Sequence, residues 1–156
     1  MKNFKQAGTQ TEQALIRDIQ TLEGEIKHWR ERFYKLVGSS GHVLYDWNSE
    51  TNQVTYGGTI EEILGYTADE LAGDLSNWIN LIHPDDRDNF NRIIQDLLQS
   101  KKSVRFSYRI QRKDGQHILI EDAGQFIEER NGKIASMIGM VKDITKDDQY
   151  KKNLQR

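Results

Sequence analysis

Between residues 9 and 37 the large apolar side chains are Leu15, Ile19, Leu22, Ile26, Trp29, Phe33 and Leu36, in steps of four, three, four, three, four and three. That alternation is a heptad seam and predicts one amphipathic coiled-coil helix over 10–37. Ile19, Ile26 and Phe33 fall at a; Leu15, Leu22 and Trp29 fall at d. Ile at a with Leu at d favours a parallel two-stranded coil. The remaining positions are mostly Gln, Glu, Asp, Lys and Arg. The stripe is thus narrower than the apolar face of a helix packed on its own domain. The expected homodimer interface is Leu15, Ile19, Leu22, Ile26, Trp29 and Phe33. The bulky Trp29–Phe33–Leu36 end is the part best suited to pack on the domain instead. Residues 1–9 carry no such repeat and are expected to be a disordered N-terminus.

After Gly38-Ser39-Ser40-Gly41 the period falls to two. Val43, Tyr45 and Trp47 share one face, Ser49–Asn52 is a turn, and Gln53–Tyr56 returns as a second strand. Thr59-Ile60-Glu61-Glu62 and Thr67-Ala68-Asp69-Glu70 read as capping boxes of two short helices, closed by Gly65 and Gly73. They leave little room for a strand. Trp78–Ile82 is a further apolar patch. His83-Pro84-Asp85-Asp86 opens a longer helix, with Pro at its first position and acids in its first turn. Val104, Phe106, Tyr108 and Ile110 then alternate, Asp114-Gly115 marks a hairpin, and Ile118–Ile127 and Ile134–Ile144 complete a meander across Asn131-Gly132. Thr145 with Asp148 resembles a capping box that opens an exit helix over 146–156. The predicted class is α+β: two strands, a helical crossover and three strands, over residues 42–145.

Composition narrows the function. Charged residues make up 29% and hydrophobic ones 36%, consistent with a solvated helix outside the globule. A net charge of −2 with interspersed signs gives no electrostatic case for nucleic acid. The absence of cysteine excludes disulfides and thiolate chemistry. No apolar run approaches the ~18 residues of a membrane span, and Met1–Thr11 has no apolar core of a signal peptide. A cytoplasmic location is expected.

The segments Tyr45-Asp46-Trp47-Asn48, Ile63-Leu64-Gly65-Tyr66, Trp78…Ile82-His83-Pro84-Asp85-Asp86-Arg87, Tyr108…Arg112-Lys113-Asp114-Gly115 and Gly139…Asp143-Ile144-Thr145 resemble the PAS family with its PAC segment, in family order over 41–145. The resemblance implies a five-stranded antiparallel sheet covered on one face by helices, often around a small cavity. It implies a regulatory module that senses or binds proteins and relays a signal through flanking helices to an output domain such as a histidine kinase or diguanylate cyclase. The alternative is a constitutive dimerisation scaffold without a ligand. The expected cavity lining is Val43, Tyr45, Trp47, Tyr56, Phe106, Tyr108, Met137 and Val141. Large aromatics at inward positions favour a filled or small cavity. The same residues would fill a solid core, which is the favoured reading, with a small organic ligand as the alternative. The family's motif at the exit implies that Asp143 and Thr145 anchor the junction, with Arg109 as a partner for Asp143.

No cofactor is expected. Haem in the family usually hangs from a histidine on the long helix, and residues 84–99 contain none. Flavin photochemistry in the family needs a cysteine. Flavin-binding members also resemble one another in a glutamine where this chain has Val141, which cannot hydrogen-bond a ring. His83 with Asp85 and Asp86 reads as a helix N-terminus rather than a metal site. No nucleophile with a nearby base, phosphate loop or cofactor fingerprint is present, so no enzyme is expected.

Overall fold

The heptad stretch folds as one helix, α1 (Lys2–Ser39), in the computed structural model of the chain, which describes residues 2–100, 102–128 and 134–154. Helical backbone therefore begins ahead of residue 9, where disorder is expected, and runs two residues past Val37. Residues 2–9 contain no proline, and extending an existing helix costs far less than nucleating one. The chain divides into two compact units, one ending at Lys35 and the other starting at Leu36. Within the first, Leu15, Ile19, Leu22, Ile26, Trp29 and Phe33 are 54–67% exposed, and the Arg32 guanidinium lies 5.5 Å from the Trp29 ring centre.

The second unit holds the last turn of α1, then β1 (His42–Asn48), β2 (Gln53–Gly58), α2 (Ile60–Leu64), α3 (Ala68–Leu71), β3 (Gly73–Asp74), α4 (Ser76–Ile79), α5 (Pro84–Ser100), β4 (Val104–Gln111), β5 (His117–Glu128), β6 (Ile134–Asp143) and α6 (Thr145–Leu154). The sheet is antiparallel and ordered β3-β2-β1-β6-β5-β4. The five expected strands are all present. The sixth, β3, is a two-residue addition at the β2 edge, pairing Gln53 with Asp74 and Val54 with Gly73. Gly73, at φ 115°, takes a backbone conformation that L side chains rarely adopt, which lets the chain leave α3 and lie against β2. The Asn131-Gly132 turn lies outside the described residues.

Alternation along the strands sends Val43, Trp47, Val54 and Tyr56 to the inner face at one side of the sheet. Tyr108, Ile110, Ile118 and Ile120 face inward at the other side. The helices between β2 and β4 cover this face with Ile60, Leu64, Leu71, Trp78, Phe90 and Leu97, all buried. Fully burying each large apolar side chain contributes about 1.5–3 kcal/mol.

Local chemistry matches expectation at α3 and departs from it at α2. Thr67 Oγ1 accepts from Glu70 N–H at 3.3 Å and Glu70 Oε2 accepts from Thr67 N–H at 2.8 Å, a complete capping box. Thr59 makes no such bond, and its hydroxyl is buried without a partner among the described residues. The cause is its backbone. Thr59 N–H donates to His42 O, and at φ −94°, ψ 31° the residue is not in the extended geometry that aims a capping hydroxyl at the helix.

Candidate ligand cavity and exit junction

Between the sheet and the helices lies a cavity of about 30 Å³. From the sheet it is lined by Tyr45, Trp47, Val54, Tyr56, Asp122 and Met137. From the helical side it is closed by Leu75, Trp78, Phe90 and Ile94. The register explains the floor: Tyr45 pairs with Tyr56 and Gly139, and Trp47 with Val54 and Met137, all on inward positions. Gly139 is required there. The Tyr45 ring lies across it, so a Cβ on Gly139 would collide with that ring.

Of the eight expected lining residues, Tyr45, Trp47, Tyr56 and Met137 reach this space. Val43 and Val141 pair with each other deeper in the core and are fully buried. Phe106 stacks beside Phe90 and Tyr108, at 5.8 and 5.2 Å between ring centres. Tyr108 does not line the space; its hydroxyl bonds two residues that do, Trp78 and Asp122.

That hydroxyl belongs to a network absent from the sequence expectations. Asp122, on β5, is 5% exposed. Its Oδ1 accepts from the Tyr45 hydroxyl and its Oδ2 from the Tyr108 hydroxyl, each at 2.8 Å. Trp78 Nε1 donates to the Tyr108 oxygen at 2.9 Å, and the Trp78 ring stacks on Tyr56 at 5.3 Å. Burial pushes the Asp122 carboxyl up to about 6, against the two tyrosine hydrogen bonds, which favour the charged form. Burial, reinforced by the charge on Asp122, also raises Tyr45, Tyr56 and Tyr108 well above the ordinary phenol range. All three stay neutral donors at physiological pH. The signal for Asp122 lies in the alternation Ile118, Ile120, Asp122, Gly124, Phe126. An acid there occupies an inward position of a buried strand.

At the opposite end of the sheet, β6 passes into α6. Asp143 Oδ1 accepts from the Thr145 N–H at 2.9 Å and from the Thr145 hydroxyl at 2.6 Å. The same hydroxyl accepts from Leu119 N–H on β5 at 3.0 Å, and Ile144 N–H donates to Leu119 O at 2.9 Å. Thr145 therefore does not form the expected box with Asp148; its hydroxyl faces β5, and Asp148 N–H bonds Ile144 O instead.

Arg109 is not the partner of Asp143. Its Nε and Nη2 donate to both oxygens of Asp86 at 2.9 and 2.8 Å, and its own N–H donates to Asp86 Oδ2 at 2.9 Å. This fork ties the first turn of α5 to β4. Chiefly through the Arg109 side-chain hydrogen bond, the Asp86 carboxyl is held down at about 2. His83 and His117 meet edge to face at 5.0 Å. Among the described residues no three His, Asp or Glu side chains converge as a metal set.

A sequence model of the PAS fold matches residues 53–141, 89 of the 156 residues. The chain belongs to the PAS family. A curated relative, the uncharacterized protein y4lL of Sinorhizobium fredii, is 33% identical over 84 residues, which are 54% of this chain and 10% of that protein. The chain thus matches about a tenth of that relative's length. Solved structures place the same fold in signalling proteins. The N-terminal domain of a diguanylate cyclase with PAS/PAC sensor from Marinobacter aquaeolei superposes with a TM-score of 0.64 at 20% identity, over 69% of this chain and 98% of that one. A sensory box histidine kinase/response regulator from Burkholderia thailandensis gives 0.63 at 25% identity, over 76% and 88%. Among the described residues of this PAS protein, no helix is long and apolar enough to cross a membrane.

Proposed function

We propose that this PAS domain is a non-catalytic sensory module that dimerises through α1 and relays the state of its cavity through α1 and α6 to an output domain. The observation that carries the reading is the buried, charged and aromatic cavity on one side of a sheet whose last strand runs directly into α6. Its likeness to domains of a sensory histidine kinase and a diguanylate cyclase supports an output of that kind. Relay requires that an occupant of the cavity favour one of two arrangements of the flanking helices; equal affinity for both would transmit nothing. Native mass spectrometry of freshly purified protein tests the reading, since it reports oligomeric state and retained ligand together. A dimer whose flanking helices change their amide-exchange rates when a ligand is added is the expected result, with any retained molecule read from the mass spectrum. A dimer that retains nothing, and whose flanking helices exchange amides at the same rate with every added ligand, is a constitutive scaffold instead.

The junction gives a second test. Asp143 accepts two hydrogen bonds from Thr145, and Thr145 is tied to β5. Asp143→Ala leaves the globule's core untouched and removes this clamp. The melting temperature should stay within a few degrees, while amide exchange over 146–154 accelerates relative to the parent. Unchanged exchange there would remove Asp143 from the relay.

A further inference from the structure

Resting on the sensory reading, we propose that the cavity binds a small organic ammonium ion, with its N–H groups on Asp122 and its alkyl groups against the surrounding aromatic faces. Asp122 is the one charged side chain among the cavity-lining residues. Each of its oxygens accepts one tyrosine hydroxyl, and a carboxylate offers about four acceptor sites, so these two bonds leave part of its acceptor capacity unused. No basic group lines the space to offset that charge. An unpaired buried carboxylate is costly, and a cation hydrogen-bonded to it offsets part of that cost, less the cation's own desolvation.

The walls suit the same ligand. The rings of Tyr45, Trp47, Tyr56, Trp78 and Phe90 border the space, and the electron-rich faces of such rings attract cations, Trp most strongly. The Tyr56 hydroxyl is a further acceptor: Tyr56 is 8% exposed and makes no hydrogen bond to another described residue. Anions are excluded by the charge on Asp122, and a neutral apolar guest would leave that charge uncompensated. A cavity of about 30 Å³ has room for about two water-sized groups. The ligand is therefore limited to a few non-hydrogen atoms: methylammonium matches the space, and its di- and trimethyl homologues probe its upper bound. So few atoms set a ceiling on affinity, in the micromolar to millimolar range.

The test titrates the whole chain at pH 7.5 with the chlorides of methyl-, dimethyl- and trimethylammonium. Isopropanol serves as a neutral molecule of similar size and sodium acetate as an anion. The readout is the set of indole N–H signals in ¹H–¹⁵N spectra. The Trp47 and Trp78 signals should shift saturably with at least one ammonium ion while Trp29 stays put. Isopropanol and acetate should bind at least about tenfold more weakly. Asp122→Asn should weaken ammonium binding by about tenfold or more, and Tyr56→Phe by several-fold. If either variant loses its dispersed spectrum, the selectivity of the parent decides. Equal binding of isopropanol, preferred binding of acetate, or no saturation with any ammonium ion overturns the inference. A retained ligand other than an amine in the native mass spectrum would overturn it too, yet leave the sensory reading standing; a ligand-free, unresponsive dimer would end both.

Discussion

Replacing both Ile19 and Ile26 by Asp should convert the protein from dimer to monomer at micromolar concentration, with the PAS domain still folded. Both residues sit at a positions of the seam and more than half of each is exposed in the single chain. A parallel coil would bury them. Each loss of a buried Ile removes roughly 2 kcal/mol, and the new carboxylate would be buried against its own copy in the partner. Four such sites per dimer total on the order of 8 kcal/mol, about the whole free energy of a micromolar dissociation constant. Flanking charges cannot compensate. Glu25 at g opposite Arg30 at e contributes well under ~1 kcal/mol, and Asp18 opposite Glu23 is repulsive. Sedimentation velocity at several concentrations reads the outcome, and circular dichroism of the strand signal checks the domain. A double variant that still sediments as a dimer would move the interface onto the PAS domain.

That the seam is visible without a structure, while much of the site is not, follows from the range of the forces involved. Heptad spacing, the alternation through Val43, Tyr45 and Trp47, and the Thr67–Glu70 box are all local, set within a turn or a strand. Element order and the PAS fold follow from such signals taken together. β3 is only two residues long, too short for any period to register, and exists because Gly73 lets the chain lie against β2. The Thr59 box fails because the backbone arrives bonded to His42, a contact 17 positions upstream. Arg109 meets Asp86 rather than Asp143 across 23 residues. The first-turn position of Asp86 gives no sign of this partner, and only the packing of α5 on β4 brings the two together. Asp122 is the opposite case: its inward position is legible from the β5 alternation. What alternation cannot tell is that Tyr45 and Tyr108 converge on its two oxygens from β1 and β4.

The cost of holding Asp122 in the core should be measurable. Its carboxyl sits near 6 in the folded chain against an ordinary 3.8, a gap that corresponds to about 3 kcal/mol. Because the folded pKa is raised, the folded state holds the proton more tightly than the unfolded one, so this group's contribution falls as pH rises from about 4 to about 6. Above that range the folded state carries the full cost of the buried charge. Asp86 acts with the opposite sign and lower down: its stabilisation is complete above 3.8 and disappears as pH falls through about 2. Its transition therefore lies below the interval from pH 4.5 to 7.5, and groups common to parent and variant cancel in the comparison. Asp122→Asn keeps a neutral group of the same shape beside Tyr45 and Tyr108. Near pH 4.5 the variant and parent should melt within a few degrees of each other. At pH 7.5 the variant should be the more stable, by up to about 3 kcal/mol, or on the order of 10 °C for a chain of this size. Thermal melts at the two pH values, run without added amines, supply the comparison. If the variant is less stable than the parent at pH 7.5, or if the difference does not change with pH, the carboxylate is not a charged group held at a cost to folding. If the difference grows as expected, the fold retains at its centre a charge that destabilises it, which is the pattern of a residue kept for what it binds.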